Sequence, residues 1–251
     1  MARNSGDDQH KFQRIADSLI AAIEAGEYRP GDRLPGENVL AKDFGVAVMT
    51  ARAALRVLRN QGLAEARRGA GVFVRDFRPI RRRAIPRLSR DQWGAGKSIW
   101  SADEERPLTV DQVSIEEVVP PLHVLAKLGL EDDEVVLARS RRYVLDERPV
   151  MLATSYLPLA LVAGSPIVQA DTGPGGIYAR LADLGHAPVR YQEEIRGRLP
   201  TSDEATALKM APERSVLQVL RTAFDAHRAV VEVNDMTLDS AAYVMEYEFE
   251  A

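Results

Sequence analysis

Arg139 and Arg141 are the first residues of this chain whose types and spacing could do chemistry. In an extended strand, residues two apart share a face. The pair would then present two guanidinium groups together, a receptor for phosphate or carboxylate. A strand pair of this kind also serves structural or surface roles. Thr172-Gly173-Pro174-Gly175-Gly176 precedes a helical pattern, and the free N–H groups at a helix start favour anions. It also reads as a plain turn. Nearer the N-terminus, Thr50 and Arg52 stand at the beginning of a helical pattern, and Arg67 and Arg68 adjoin Gly69 and Gly71. Those residue types reach nucleic-acid phosphates and base edges. Catalytic patterns are missing. There is no cysteine and no G-x-S-x-G elbow. No lysine follows the glycines near Thr172 as a phosphate loop requires. His10, His123, His186 and His227 are scattered without metal-ligand spacing. No cofactor and no metal is expected.

Charge divides the chain. Residues 1–90 hold 18 Lys and Arg against 10 Asp and Glu, whereas residues 91–251 hold 15 against 27, within a net charge of −4. A basic portion joined to an acidic one suggests a nucleic-acid-binding part carrying something else. The absence of cysteine excludes disulfides and a thiol nucleophile. With no signal peptide and no apolar run of the roughly 18 residues that span a bilayer, a soluble cytoplasmic protein is expected.

Apolar periodicity predicts a helix over 11–25, a short helix from Pro35 to Phe44 with Val39, Leu40 and Phe44 inward, and a third helix over 47–61. Glycines 26, 45 and 62 stand where these would stop. Residues 63–66 and 72–75 read as a hairpin around a glycine-rich tip. The second and third helices are about three residues apart, which exposes the start of the third, from Ala47 to Arg52. The wing glycines would let the backbone approach a minor groove, with Arg67 and Arg68 beside it.

This pattern closely resembles the DNA-binding domain of the GntR family of bacterial transcription regulators. The matching residues are Pro30-Gly31, Arg33-Leu34-Pro35, Glu37, Leu40-Ala41, Phe44-Gly45-Val46, Thr50, Arg52, Ala54-Leu55, Leu58, Gly62-Leu63, Arg68-Gly69, Gly71 and Phe73-Val74. The resemblance implies that Arg33, Arg52 and the Gly69–Gly71 wing contact operator DNA, with Glu37 near the phosphates or the turn. Gly36 and Ala47 stand where the family usually has serine, and Val48 where it often has arginine. Val48 or Met49 is then expected to touch a thymine methyl.

Residues 75–90 carry seven arginines with Pro79 and Pro86. Like charges and prolines predict a flexible linker whose arginines meet DNA phosphates or are merely solvated. Beyond it, strands are predicted over 110–119, 134–145, 150–157, 189–199, 216–225, 230–239 and 243–249. Helices are predicted over 121–128, 175–184 and 202–208, and Asp146 to Pro149 marks a hairpin. This is an α+β antiparallel sheet with inserted helices. Glu193-Glu194 reads as a solvated pair.

That order resembles the UTRA effector domain of the HutC subfamily of GntR regulators, a fold similar to chorismate lyase. The resemblance is carried by Arg139, Arg141, Pro149-Val150, Tyr156-Leu157-Pro158, Ile177-Tyr178, Leu181, Val231-Glu232 and Tyr243. The run from Asp171 to Leu181 resembles actinobacterial members, conjugative-plasmid regulators among them. The resemblance implies effector contacts from Arg139, Arg141 and Glu232, with Tyr178, Arg180 and Tyr243 beside them, and the turn before the helix adds Thr172 as an anion contact. Ala153 stands where sugar-phosphate-binding relatives commonly carry glutamate. A less polar ligand that still bears an acidic group is therefore expected.

The expected architecture is a winged helix-turn-helix over 9–76, an arginine-rich linker over 77–106 and a UTRA-like effector and dimerisation domain over 107–251. The expected function is a homodimeric repressor that binds double-stranded operator DNA with an inverted repeat and is released by a small anionic effector. Two alternatives remain: a dimeric DNA-binding repressor that senses no ligand, and a lyase-like enzyme.

Overall fold

The computed structural model describes residues 5–249 apart from 68, 77, 101, 102, 104, 105 and 107. Arg68 and Pro107, named above, lie outside the described residues. The chain divides into two compact units, 1–78 and 79–251.

The first unit opens with α1 (Ser5–Glu24), six residues longer at its start than the apolar periodicity predicts. Ile15, Ala16 and Leu19 form its buried stripe. It packs with α2 (Glu37–Phe44) and α3 (Val48–Asn60) around Leu34, Leu40, Ala51, Ala54, Leu55 and Leu58. Val39 and Phe44, expected inward, are exposed. The eight-residue α2 buries a single line, Leu40 backed by Ala41, and the other apolar side chains fall off it. Neither Gly36 nor Ala47, the N-cap residues of α2 and α3, makes a side-chain cap, as the missing serines predict. An antiparallel hairpin, β1 (Ala64–Arg67) and β2 (Gly71–Val74), forms the wing.

The second unit is built on a six-stranded antiparallel sheet, in the order β4 (Thr109–Val118), β5 (Val136–Leu145), β6 (Arg148–Pro158), β9 (Val230–Asp239), β8 (Val216–Phe224), β7 (Arg190–Arg198). The β5–β6 turn holds Asp146 and Glu147 at positive φ, 49° and 62°. Two left-handed residues give the turn twist that matches the strands. One face is covered by α7 (Leu159–Val162), the 3-10 turn Pro166–Val168 and α8 (Gly176–Asp183), with Trp93 in the same core. On the opposite face α6 (Leu122–Leu128) places Val124 over Leu220 and Val233, and α9 (Ser202–Ala207) starts with a Thr201–Glu204 capping box.

The stretch expected as a solvated linker is folded into this unit. Residues Ile80–Arg83 form β3, parallel to β10 (Tyr243–Glu246), and α4 (Ala84–Leu88) and α5 (Arg90–Trp93) follow. Alternation in β3 buries Ile80 and Arg82 and exposes Arg81 and Arg83. Arg82 and Arg87 are fully buried because carboxylates meet them: Arg82 donates to both oxygens of Glu193 (2.8 and 2.5 Å), and Arg87 lies 3.2 Å from Asp103. Glu193 is thus not a solvated residue. Its Arg82 pair outweighs burial and holds its carboxyl below the usual range. The terminal strand is shorter than expected and lies beside β3, outside the main sheet.

Candidate nucleic-acid interface and ligand cavity

In the first unit the start of α3 is exposed at Ala47, Val48, Met49 and Arg52. Thr50, expected among the groove-facing residues, is buried with Ala51 and Ala54. The helical turn points it inward, so it is not an open base reader. Arg52 donates from Nε and Nη2 to the two oxygens of Glu37, at 2.9 and 2.7 Å. That pairing depresses the Glu37 carboxyl. Arg33 is bridged to Phe73, and its guanidinium lies over Gly71, where an added Cβ would come within 3.0 Å of Nε. Gly71 is at φ +117°, which a side chain would strain. Arg67 stacks on Phe73 at 4.4 Å and donates to Glu65. Arg33, Arg67, Gly69 and Gly71 therefore gather on the wing, while Glu37, Val48, Met49 and Arg52 gather at the entry of α3.

The second unit encloses a cavity of about 620 Å³. Its floor is the helix-covered face of the sheet. Register aligns Arg139, Ser155, Asn234, Arg221 and Glu193 in one row across five strands. Side chains alternate along each strand, so all five point to that face. Arg139 is nearly fully buried and donates to the carbonyls of Ile167, Gln169 and Ala170, bracing the chain ahead of α8. Burial and the like charge of Arg141 lower its pKa to about 10. Arg141 keeps a lighter engagement, one hydrogen bond from Nη2 to Ser155 Oγ at 3.3 Å. The two arginines share the cavity wall as expected, but Arg139 is already held by carbonyls.

Of the other expected residues, Thr172, Tyr178 and Glu232 line the cavity. The Tyr178 hydroxyl donates to Glu232 Oε2 at 2.8 Å, and burial raises its pKa well above the usual value. The glycine-rich turn is present, yet part of its N–H supply is taken. Gly175 N donates to Gly96 O and Gly176 N to Gly173 O. A Cβ at Gly175 would meet Trp93 O at 2.5 Å, so glycine is needed for this close approach. Two expected residues are elsewhere. Arg180 is paired with Asp183 one turn along α8 and is not among the cavity-lining residues. Tyr243 is buried on β10 beside β3, with Met151 Sδ at 4.0 Å from its hydroxyl.

Three cavity-lining residues, Arg221, Asn234 and Trp100, and the adjacent Ser155 escape the sequence motifs. Arg221 and Asn234 are cross-strand partners lining the cavity, both 1% exposed. Ser155 lies beneath them, and Trp100 packs between Tyr143 (4.9 Å) and the Arg87 guanidinium (4.4 Å). The signal for Arg221 was present: one charged residue inside a strand that is otherwise uncharged.

Among the described residues, no group of three or more His, Asp and Glu is placed to hold a metal ion, and no helix is long and apolar enough to cross a membrane.

Comparison with known proteins agrees with both units. Residues 11–74 match the bacterial regulatory proteins of the gntR family, and residues 104–243 match the UTRA domain. An uncharacterised HTH-type transcriptional regulator of Streptomyces coelicolor is 29% identical, over 95% of this chain and 92% of that protein. The mannosyl-D-glycerate transport/metabolism system repressor MngR of Escherichia coli K12 is 24% identical, over 92% of each chain. The HTH-type transcriptional repressor NagR of Bacillus subtilis is 26% identical, over 85% of this chain and 84% of its own. A crystal structure of a GntR-family transcriptional regulator superposes with a TM-score of 0.64 at 25% identity, covering 96% of this chain and 98% of the other. A winged helix whose exposed helix start carries Arg52, followed by a UTRA sheet around a cationic cavity, places this chain among the UTRA-domain transcription regulators of the GntR family.

Proposed function

We propose that the protein is a homodimeric cytoplasmic repressor that leaves its operator when a small anionic effector fills the cavity of the second unit. The observation that carries this reading is the charge of that cavity. Arg139 and Arg141 both line it, and among the described residues neither has a carboxylate partner. A buried cationic wall of this kind is stabilised by an incoming anion. Arg141, Thr172, Tyr178 and Glu232 would contact the ligand, while Arg139 holds the wall in shape.

On the DNA side, Arg52, Val48 and Met49 would enter the major groove, with Glu37 aiming Arg52. Arg33, Arg67, Gly69 and Gly71 would meet the backbone and minor groove. Two-fold symmetry of a dimer imposes an inverted repeat on the operator. The effector need only favour one dimer geometry over the other by about 1–3 kcal/mol to shift occupancy 5- to 150-fold. Nothing in the cavity requires catalysis, and the protein is read as a regulator.

The test is to select bound duplexes from a random pool, then challenge the complex with a metabolite library. Wild type should release the selected operator with some member. Arg141→Ala should bind that operator equally well and fail to respond. Equal responses from both proteins would remove the cavity from the mechanism and favour a repressor that senses no ligand there.

A further inference from the structure

We infer that the floor of the cavity is a second, buried polar subsite. Arg221 there receives a carboxylate, and Asn234 Oδ1 receives a hydrogen-bond donor on the adjacent ligand atom. This rests on the effector-cavity reading and narrows the ligand to small carboxylic acids with a neighbouring hydroxyl or amino group.

The argument begins with unmet hydrogen bonds. Arg221 Nε and Nη1 and Asn234 Oδ1 are buried without partners. Buried polar groups are nearly always paired, so three orphans on two facing residues ask for a ligand or solvent. The third side chain of the row has capacity too. Ser155 Oγ accepts from Arg141 Nη2 (3.3 Å) and Asn234 Nδ2 (3.2 Å), which leaves its own proton free to donate.

Charge then chooses the ligand. Arg221 has Glu232 at 3.9 Å, and Glu193 is bound by Arg82. Arg139 and Arg141 are left without a carboxylate, and Arg139 is taken up by carbonyls, so Arg141 supplies the open charge while the unpaired N–H groups of Arg221 supply the hydrogen bonds. A singly charged carboxylate suits this arrangement. Asn234 Oδ1 is an acceptor and repels a second anionic oxygen, whereas a hydroxyl or amino group would satisfy it. Asn234 and Arg221 are directly opposite on adjacent strands. Such partners lie about 5 Å apart, a spacing that neighbouring substituents of one small acid can bridge.

Two aromatic rings flank the subsite within the cavity. The Trp100 ring sits 6.0 Å from the Arg221 guanidinium carbon and Tyr178 sits 5.5 Å from it. A ligand that reaches Arg221 therefore comes beside the Trp100 indole, one of two tryptophans in the chain. Trp93 is buried and donates to Leu88 O, so a fluorescence change would report Trp100.

The experiment uses the full chain and matched acids: mandelate with phenylacetate, malate with succinate, serine with propionate. Phenyl phosphate and glucose 6-phosphate are the phosphate-ester comparators. Thermal shift and tryptophan fluorescence are read for wild type, Asn234→Leu, Asn234→Asp and Arg141→Ala. At least one donor-bearing carboxylate should bind wild type about tenfold tighter than its partner and change the fluorescence. Asn234→Leu should erase that preference. Asn234→Asp keeps the shape and adds a repelling charge, so it should abolish carboxylate binding even if the leucine variant fails to fold. Equal binding within every pair, or a preference untouched by both Asn234 variants, overturns the inference. Arg141-dependent binding of the phosphate esters alone overturns it too, while the effector cavity stands. If no anion binds, both readings fall.

Discussion

Glu37 grips Arg52 with both carboxylate oxygens, at 2.9 and 2.7 Å. The two residues come from different helices, so the ion pair fixes a long side chain at the exposed entry of α3. A planar guanidinium held by one edge, with Nη1 resting against Met49 Sδ at 3.6 Å, keeps its other N–H groups for a guanine or a phosphate. Arg52→Ala should weaken operator binding by about tenfold or more. Glu37→Ala should act differently: binding to random duplex tightens, because a negative charge is lost near phosphates, and the ratio of specific to random binding falls. Competition binding at fixed salt checks this. An unchanged ratio would show that Glu37 has no aiming role.

Val48 and Met49 are exposed beside that arginine, where an apolar side chain can read a thymine methyl. Val48→Ala should leave the thermal midpoint near wild type and relax preference for thymine at one operator position a few-fold. Repeating the duplex selection with the variant measures it; an identical preferred sequence would refute the contact.

Arg139 and Arg141 should fail in different ways. Removing Arg139 strands three backbone carbonyls that it now satisfies. Arg139→Ala should lower stability by about 3 kcal/mol, since each unmet buried acceptor costs on the order of 1 kcal/mol or more. Arg141→Ala should leave stability almost intact and lose the ligand response. Denaturant unfolding of the two variants separates the roles, and equal destabilisation would contradict the assignment.

Acid should expose the Arg198–Glu204 pair. Arg198 donates to both Glu204 oxygens at 2.6 Å and holds that carboxyl at about 2, against an ordinary 4.5. A depressed folded-state pKa stabilises the fold above the unfolded value. That contribution fades as pH falls from about 4.5 towards 2. Glu193, lowered by Arg82, acts with the same sign. Stability of Glu204→Gln should depend less on pH across that window than wild type. Parallel curves of denaturation midpoint against pH would exclude the pair as a source of acid sensitivity.

The sequence exposed some of this architecture through local rules. Glycines and arginines at fixed offsets marked the wing and the entry of α3, and the apolar alternation of 136–158 marked the central hairpin. Long-range facts were hidden. Nothing in the arginine run of 75–90 says that Arg82 will face Glu193, because the partner lies 111 residues away. Arg180 and Tyr243 carried family expectations, yet Asp183 pairs with one and the β3–β10 pairing took the other. Thr50 stands only two residues from Arg52, yet about 200° of helical rotation buries one and exposes the other.

The parallel clasp between Ile80–Arg83 and Tyr243–Glu246 also imposes an order on synthesis. Helices and wing of the first unit are complete once residue 74 has left the ribosome, and their contacts are local. The sensing unit must wait for residue 246 before its opening strand finds a neighbour, and pairings so distant in sequence form slowly. The first unit can thus close its core while the sheet of the second is still incomplete.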